Sequence, residues 1–250
     1  MDKKTGLVAF FDILGYQNFL KKNEPEIAAD KIAELIKDLK GFQSDTFLSF
    51  LSESKRDKIG AVVKNIEYLV ISDAILLTLE TNKENKDYTR NLRVFLFYCS
   101  RLSKQLFLYG LPLRGAIEYG DYVLIEKQMF VGRPIVKAYQ ASQLLDLSAC
   151  QVSNSVGDLP PDFEKKVHIS YVTPLRTGEE KELVLLAPFN VADDKEDQWT
   201  STKIPDLGQF IIEAFCAHGK SINREVQRKI INTEFFLRYC KARQPETAKQ

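Results

Sequence analysis

The hydrophobic pattern of this chain begins with a conflict. "LVAFFDILGYQNFL" (residues 7–20) has six apolar residues among its first seven, dense enough for a fully buried strand over 7–12. That strand ends on Asp12, and Gly15 turns the chain into a helix. A buried carboxylate needs a compensating partner: a backbone cap, a basic side chain or a metal ion. Further on, "EPEIAADKIAELIKDLKGF" sets Ile27, Ile32, Leu35, Ile36 and Leu39 at helical spacing, with Gly41 as the stop. The polar stretch "SESKRDKIG" leads into "EYLVISDAILLTLE", two apolar runs broken by Ser72-Asp73, which predicts a hairpin.

"RNLRVFLFYCSRLSKQLFLYGL" predicts a long amphipathic helix ending at Gly110. "LPLRGAIEYGDYV" follows as a strand with a turn at Gly120-Asp121. "MFVGRPIVKAYQASQLLD" opens with a short apolar run and Gly132 before another helix, and strands are expected near 167–173 and 182–188. Residues 190–206, "NVADDKEDQWTSTKIPD", form a polar connector; 207–243 are expected to be helical, and "QPETAKQ" frayed. Strand, helix, two strands, helix, strand, helix, strand is a mixed order with a central hairpin. It predicts an α+β fold rather than a doubly wound parallel sheet.

Composition narrows the function classes. At 250 residues, 44% hydrophobic and 28% charged, the chain suits one large domain or a domain with an appendage. Its 35 basic and 34 acidic residues leave a net charge of +1, so no whole-chain field advertises nucleic acid or an acidic membrane as a partner. Cys99, Cys150, Cys216 and Cys240 are scattered, and His168 and His218 are the two histidines, which argues against zinc and for reduced thiols. The lysines of MDKKTG before an apolar run superficially suggest a signal peptide, but Asp12 splits the run early. No stretch approaches a membrane span, and a cytoplasmic location is expected.

The pair Asp12 and Asp73 carries the chemistry. If the hairpin pairs beside the first strand, both carboxylates emerge at one sheet edge, where their repulsion favours a divalent cation. Magnesium and manganese take hard oxygen ligands, often one or two carboxylates completed by substrate phosphates. Taken singly, Asp12 also reads as an N-cap and Asp73 as a turn residue.

The motifs around these aspartates resemble the catalytic domain of the class III nucleotidyl cyclases. "FFDILGYQNF" is similar to the family's first metal-aspartate motif, a strand ending Phe-x-Asp-Ile-x-Gly-Phe/Tyr, and "ISDAILLTL" to its second. "LRGAIEYGDYV" follows Leu-Arg-x-Gly-Ile-x-x-Gly, with Ala116 where the inner glycine is usual. "FVGRPIVKAYQASQLLD" is similar to the segment with Gly-Asp-x-Val-Asn and Ala-Ala-Arg-Leu. The likeness runs in the family's order over about residues 7 to 188.

The resemblance implies a ferredoxin-like, largely antiparallel sheet with helices packed on it, with the catalytic domain over 1–190 and a connector and helical appendage over 191–250. It implies two metal ions per site, Mn2+ or Mg2+, on Asp12 and Asp73, with the Ile13 carbonyl as a further ligand. Backbone N–H groups around Leu14, Gly15 and Tyr16 would cradle the terminal phosphates, and Arg114 would clamp the triphosphate; its alternative is a plain surface cation at a strand start. In the family, attack of the ribose 3′-hydroxyl on the α-phosphorus yields a 3′,5′-cyclic nucleotide.

The chain departs from the pattern at two places. The family's asparagine and arginine on the late helix fall at Val136 or Tyr139 and at Gln140 or Gln143, leaving Arg133, Lys137 or Gln143 as substitutes. The purine-reading positions fall near Glu67, Tyr68 and Leu69 and near Gln128 and Met129, and neither purine code is present. A tyrosine beside the pocket would favour a smaller base, although Tyr68 and Met129 also read as core residues. These departures most resemble the bacterial pyrimidine cyclases of Pycsar antiphage defence, which make cyclic UMP or cyclic CMP. That resemblance implies UTP, ahead of CTP, as the favoured nucleoside triphosphate, and the family's site between two catalytic domains implies a homodimer with sites at its interface. Rival readings are a diguanylate cyclase, whose Gly-Gly-Asp/Glu-Glu-Phe turn is missing from "VISDAI", a polymerase palm, and a non-catalytic nucleotide-sensing dimerisation module.

Overall fold

The structure is a computed structural model and describes residues 2–27, 30, 33, 53–126, 129–189 and 206–243. The predicted helix over 24–42 lies mostly outside the described residues, as do Gln128, the connector over 190–205 and the tail.

The apolar run around Asp12 forms the centre of β1 (Asp2–Ile13), which extends back through the N-terminal lysines. α1 (Tyr16–Lys22) follows, then α2 (Glu53–Lys64), β2 (Ile66–Ile71) and β3 (Ala74–Glu80). The long helix α3 (Tyr88–Leu108) leads to β4 (Leu113–Ile125), β5 (Met129–Gly132) and α4 (Arg133–Leu144). β6 (Cys150–Val152), β7 (His168–Pro174), β8 (Glu180–Leu186), α5 (Leu207–Cys216) and α6 (Arg224–Ala242) complete the chain. The described strands form one sheet in the order β2-β3-β1-β4-β6-β8-β7, with β5 on β4. β1 is antiparallel to both β3 and β4, and β2 to β3, while β4 pairs β6 in parallel. This is the expected α+β fold, a mixed and largely antiparallel sheet built on a split βαββαβ unit.

Strand alternation assigns the two faces. Leu7, Ala9, Phe11 and Ile13 join Ile75, Leu77, Leu79 and α3 residues such as Phe95 and Leu102 in the largest core cluster. The opposite face carries Val8, Phe10, Leu76 and Tyr122 beneath Phe130 and Ile135. Directly opposed residues of antiparallel strands share a face, so the β1–β4 register Asp12↔Arg114 puts that pair on the α4-covered side.

The structure differs from the sequence pattern at three places. Gly120-Asp121 does not turn: β4 runs through both, paired with Gly6 and Thr5 of the extended β1, and Thr5 donates to Asp121 Oδ1 at 2.6 Å. Cross-strand bonding there outweighs local turn propensity. The polar stretch "SESKRDKIG", to which the pattern assigns no element, contributes to helix α2, which reaches the core through Val62 and Val63. The helix over 207–243 is two helices, broken where His218 and Gly219 take positive φ of 61° and 76°. Asn223 then caps α6, its Oδ1 accepting from Val226 N at 2.8 Å.

The C-terminal helices pack into the sheet's other end. Ile211, Phe215, Ile230, Phe236 and Leu237 share a core cluster with Phe107, Leu147, Ile169 and Leu185. Arg228 and Asn232 of α6 both donate to the Asp146 carboxylate, and Thr233 Oγ1 accepts from Ser148 N at 2.9 Å. Between α5 and α6, Lys220 is 6% exposed and donates to the Gly110 carbonyl at 2.6 Å.

A Cβ at Gly115 would lie 2.4 Å from Phe11 Cδ1 and 2.7 Å from the Phe10 carbonyl oxygen. Gly115→Ala is therefore expected to lower unfolding free energy in urea by about 2 kcal/mol or more; an unchanged midpoint would contradict the close β1–β4 approach. Burial pushes the Lys220 pKa down to about 8 from 10.5, so the folded protein gives up this proton before the unfolded chain does. The cost of burying the charge is full below pH 8 and fades as pH rises towards 10.5. The stability of the wild type relative to Lys220→Met is expected to grow across that window, by on the order of 3 kcal/mol at most; a flat difference would contradict it.

Candidate functional site

The sheet edge where β1 ends collects the predicted residues. Asp12 is the penultimate residue of β1 and pairs Ala74 on one side and Arg114 on the other. Asp73 sits in the two-residue turn between β2 and β3, beside Ser72, whose φ is 55°. The hairpin is tied to β1 by Ile13 N, which donates to the Asp73 carbonyl at 2.9 Å. Hairpin and first strand are thus adjacent, and the two aspartates emerge together.

Their charges interact. Burial is the main force raising the Asp12 carboxyl above the usual carboxylate range, and the Asp73 charge raises it further. The Arg114 guanidinium opposes both. Its Nε donates to Asp12 Oδ2 at 2.7 Å, with side chains 8% and 16% exposed. Arg114 is therefore no surface cation: its Nη2 donates to Gln143 Oε1 at 2.5 Å. Its buried Nη1 has no hydrogen-bond partner among the described residues, so one arm of a rigid donor fork is uncommitted.

Gln143, near the end of α4, also hydrogen-bonds Asp12. An amide offers a donor and an acceptor, so it serves both members of the ion pair. One helical turn earlier, Tyr139 meets Phe10 edge-on at 5.3 Å between centroids. Arg133 and Lys137, the other substitutes considered, are exposed on α4. The Tyr16 side chain also reaches this corner: burial and the Asp73 charge raise its phenol pKa, while a hydrogen bond with Ser72 opposes them. Only its backbone was singled out from sequence, and no sequence spacing signals that contact.

The turn after β1 is built for glycine. Gly15 has φ 78° and lies at the start of α1. Leu14 N already donates to the Pro112 carbonyl at 2.8 Å, so Leu14 drops out as a phosphate donor and the expected cradle narrows to Gly15 and Tyr16. Two base-reading expectations are also displaced. Tyr68 pairs Leu77 and packs against the α3-side core, the face opposite Asp12. Met129 is 56% exposed and pairs Ile125, about 35 Å along β4 from Arg114. Neither joins the carboxylates within one chain.

The donor set suits a hard divalent cation that draws remaining ligands from water and phosphate. Asp12 and Asp73 supply oxygen anions whose mutual repulsion such an ion would relieve. A protein-only cage is not formed: no group of three or more His, Cys, Asp or Glu side chains converges among the described residues. No described helix is long and apolar enough to cross a membrane.

No family profile and no curated protein matches the chain. Solved structures do. The catalytic core of a rhodopsin-guanylyl cyclase with converted specificity, in complex with ATPαS, aligns with a TM-score of 0.52 and 10% identity over 74% of this chain and 97% of that one. The guanylate cyclase domain of RhGC from Catenaria anguillulae, in complex with GTP, gives 0.50 and 11%, covering 74% and 98%. At such identities the likeness is one of fold: this chain has the α+β architecture of class III nucleotidyl cyclase catalytic domains.

Proposed function

We propose that this protein is a nucleotidyl cyclase that converts UTP to 3′,5′-cyclic UMP and pyrophosphate, as a second messenger in antiphage defence. The observation that carries the cyclase reading is the meeting of Asp12 and Asp73 at one sheet edge, beside an arginine with an uncommitted buried nitrogen. The fold and the four ordered motifs support the same reading. UTP is favoured by the resemblance to the pyrimidine cyclases and by the lack of either purine code; CTP is the next candidate.

Asp12 and Asp73, with the Ile13 carbonyl, are the residues that would hold two Mn2+ or Mg2+ ions. Such ions supply a lowered pKa at the ribose 3′-hydroxyl and charge neutralisation on the triphosphate. The 3′-oxygen forms its bond to the α-phosphorus as the bond to the β-phosphate oxygen breaks; the hydroxyl proton is lost and pyrophosphate leaves. Arg114 opposes the rise in the Asp12 pKa through its Nε and would offer Nη1 to a phosphate oxygen. Gln143 accepts from the guanidinium through Nη2, which holds its plane and leaves Nη1 without a partner among the described residues.

A homodimer fits the exposed apolar side chains of β5 and α4: Met129, Val131, Val136 and Tyr139. Met129 would reach a nucleotide only from a second copy, which two sites at an interface provide.

Incubation of the purified protein with manganese and each of four labelled nucleoside triphosphates tests the reading. Cyclic UMP with pyrophosphate is expected from UTP; cyclic AMP as the main product would overturn the pyrimidine assignment, and no cyclisation would overturn the enzyme. Asp12→Asn and Asp73→Asn are each expected to lower turnover by about 100-fold or more while leaving the circular dichroism spectrum unchanged. Near-normal turnover in either variant would remove that residue from the metal site.

A further inference from the structure

The segment joining α5 to α6 makes contacts that packing of the C-terminal helices does not require. Lys220 Nζ donates to the Gly110 carbonyl at 2.6 Å and to the Ala214 carbonyl at 3.4 Å. Its stem lies under the turn after β1, with Cδ 3.2 Å from where a Cβ on Gly15 would stand. Next to it, Ser221 N donates to Asn18 Oδ1 at 3.0 Å, and Asn18 Nδ2 donates back to Ser221 Oγ at 2.9 Å. Asn23 Nδ2 donates to the His218 carbonyl at 2.9 Å, and the His218 ring meets Phe19 edge-on.

These contacts converge on two short stretches of chain. Gly15 and α1 continue from Asp12 and Ile13, while Gly110 to Pro112 lead into β4 and Arg114. The same stretches are bonded to each other by Leu14 N and the Pro112 carbonyl at 2.8 Å. Lys220 thus lies between the segments that deliver the two members of the Asp12–Arg114 pair, its Nζ bonded to one and its Cδ close beside the other.

We propose that Lys220, with the reciprocal Asn18–Ser221 bonds, is a positioning residue that braces the Gly15 turn against Gly110 and so holds Asp12 and Arg114 in register. The brace stands on contacts alone; its consequence for substrate rests on the cyclase reading. It makes the C-terminal helices part of the site's framework, although none of their residues is assigned to the chemistry.

The full-length wild type, Lys220→Met and Asn18→Ala are compared by amide hydrogen exchange and by steady-state kinetics with UTP and manganese. Lys220→Met keeps the stem and removes the donors; Asn18→Ala leaves the buried lysine untouched. The expected result is faster exchange confined to residues 13–19 and 110–114 in both variants, with central β1 and α3 amides unchanged. kcat/KM for UTP should fall about fivefold or more, with kcat itself lowered, because the displaced Asp12 holds the metals. Unchanged exchange in both segments would overturn the brace, as would a uniform increase across the chain in both variants. Altered exchange with unchanged KM and kcat would overturn the link to the substrate. A wild type that turns over no nucleotide would sink the cyclase reading, and the exchange data would still decide the brace.

Discussion

A carboxylate held out of water beside a second negative charge is the constraint around which this structure is arranged. Asp12 is desolvated at the end of the central strand, and Asp73 adds repulsion. Left alone, such a group would neutralise by taking up a proton. Arg114 opposes that shift from the neighbouring strand, and Gln143 bonds both partners. Removing one partner of a buried pair costs more than the pair contributes, so β1, β4 and the end of α4 are tied to one another by charge as well as by apolar packing. Nη1 of Arg114 is buried there without a hydrogen-bond partner among the described residues.

The rest of the fold brings that corner together from distant parts of the chain. The Ser72–Asp73 turn is fastened to β1 by one backbone bond. The close passage of Gly115 against Phe11 sets the spacing of β1 and β4. From behind, α6 secures the Asp146–Ser148 segment through Arg228, Asn232 and Thr233, and Ser148 Oγ donates to the Leu113 carbonyl, one residue before Arg114. The C-terminal helices therefore belong to the same packed body as the sheet, sharing a core with Phe107, Leu147 and Leu185.

Sequence pattern alone made much of this legible, for identifiable reasons. The central hairpin, the long helix and the buried strand were readable because their apolar spacing is strong and local. The meeting of Asp12 with Asp73 was readable because one strand-pairing assumption brings them together. What escaped depended on tertiary context. The Gly120-Asp121 pair carries a local turn signal that pairing with the N-terminal extension of β1 overrides. α2 looks polar because it opens on Glu-Ser-Lys-Arg-Asp-Lys, ahead of the Val62 and Val63 that reach the core, and β6 is three residues long. Tyr68 was assigned to a pocket by neighbourhood, but its alternation puts it on the α3 side. Gln143 is one of three candidate substitutes with Arg133 and Lys137, and its amide bonds both Arg114 and Asp12, a contact that no linear spacing encodes.

The proposed cyclase requires Asp12 and Asp73 to hold cations together with a nucleotide. The most direct measurement is anomalous scattering from a crystal of the protein grown with manganese and a UTP analogue that cannot cyclise. Manganese peaks within coordination distance of both carboxyl groups, with a phosphate oxygen against Arg114, are the predicted result. An analogue bound elsewhere, or manganese absent from both aspartates while the nucleotide is in place, would contradict it.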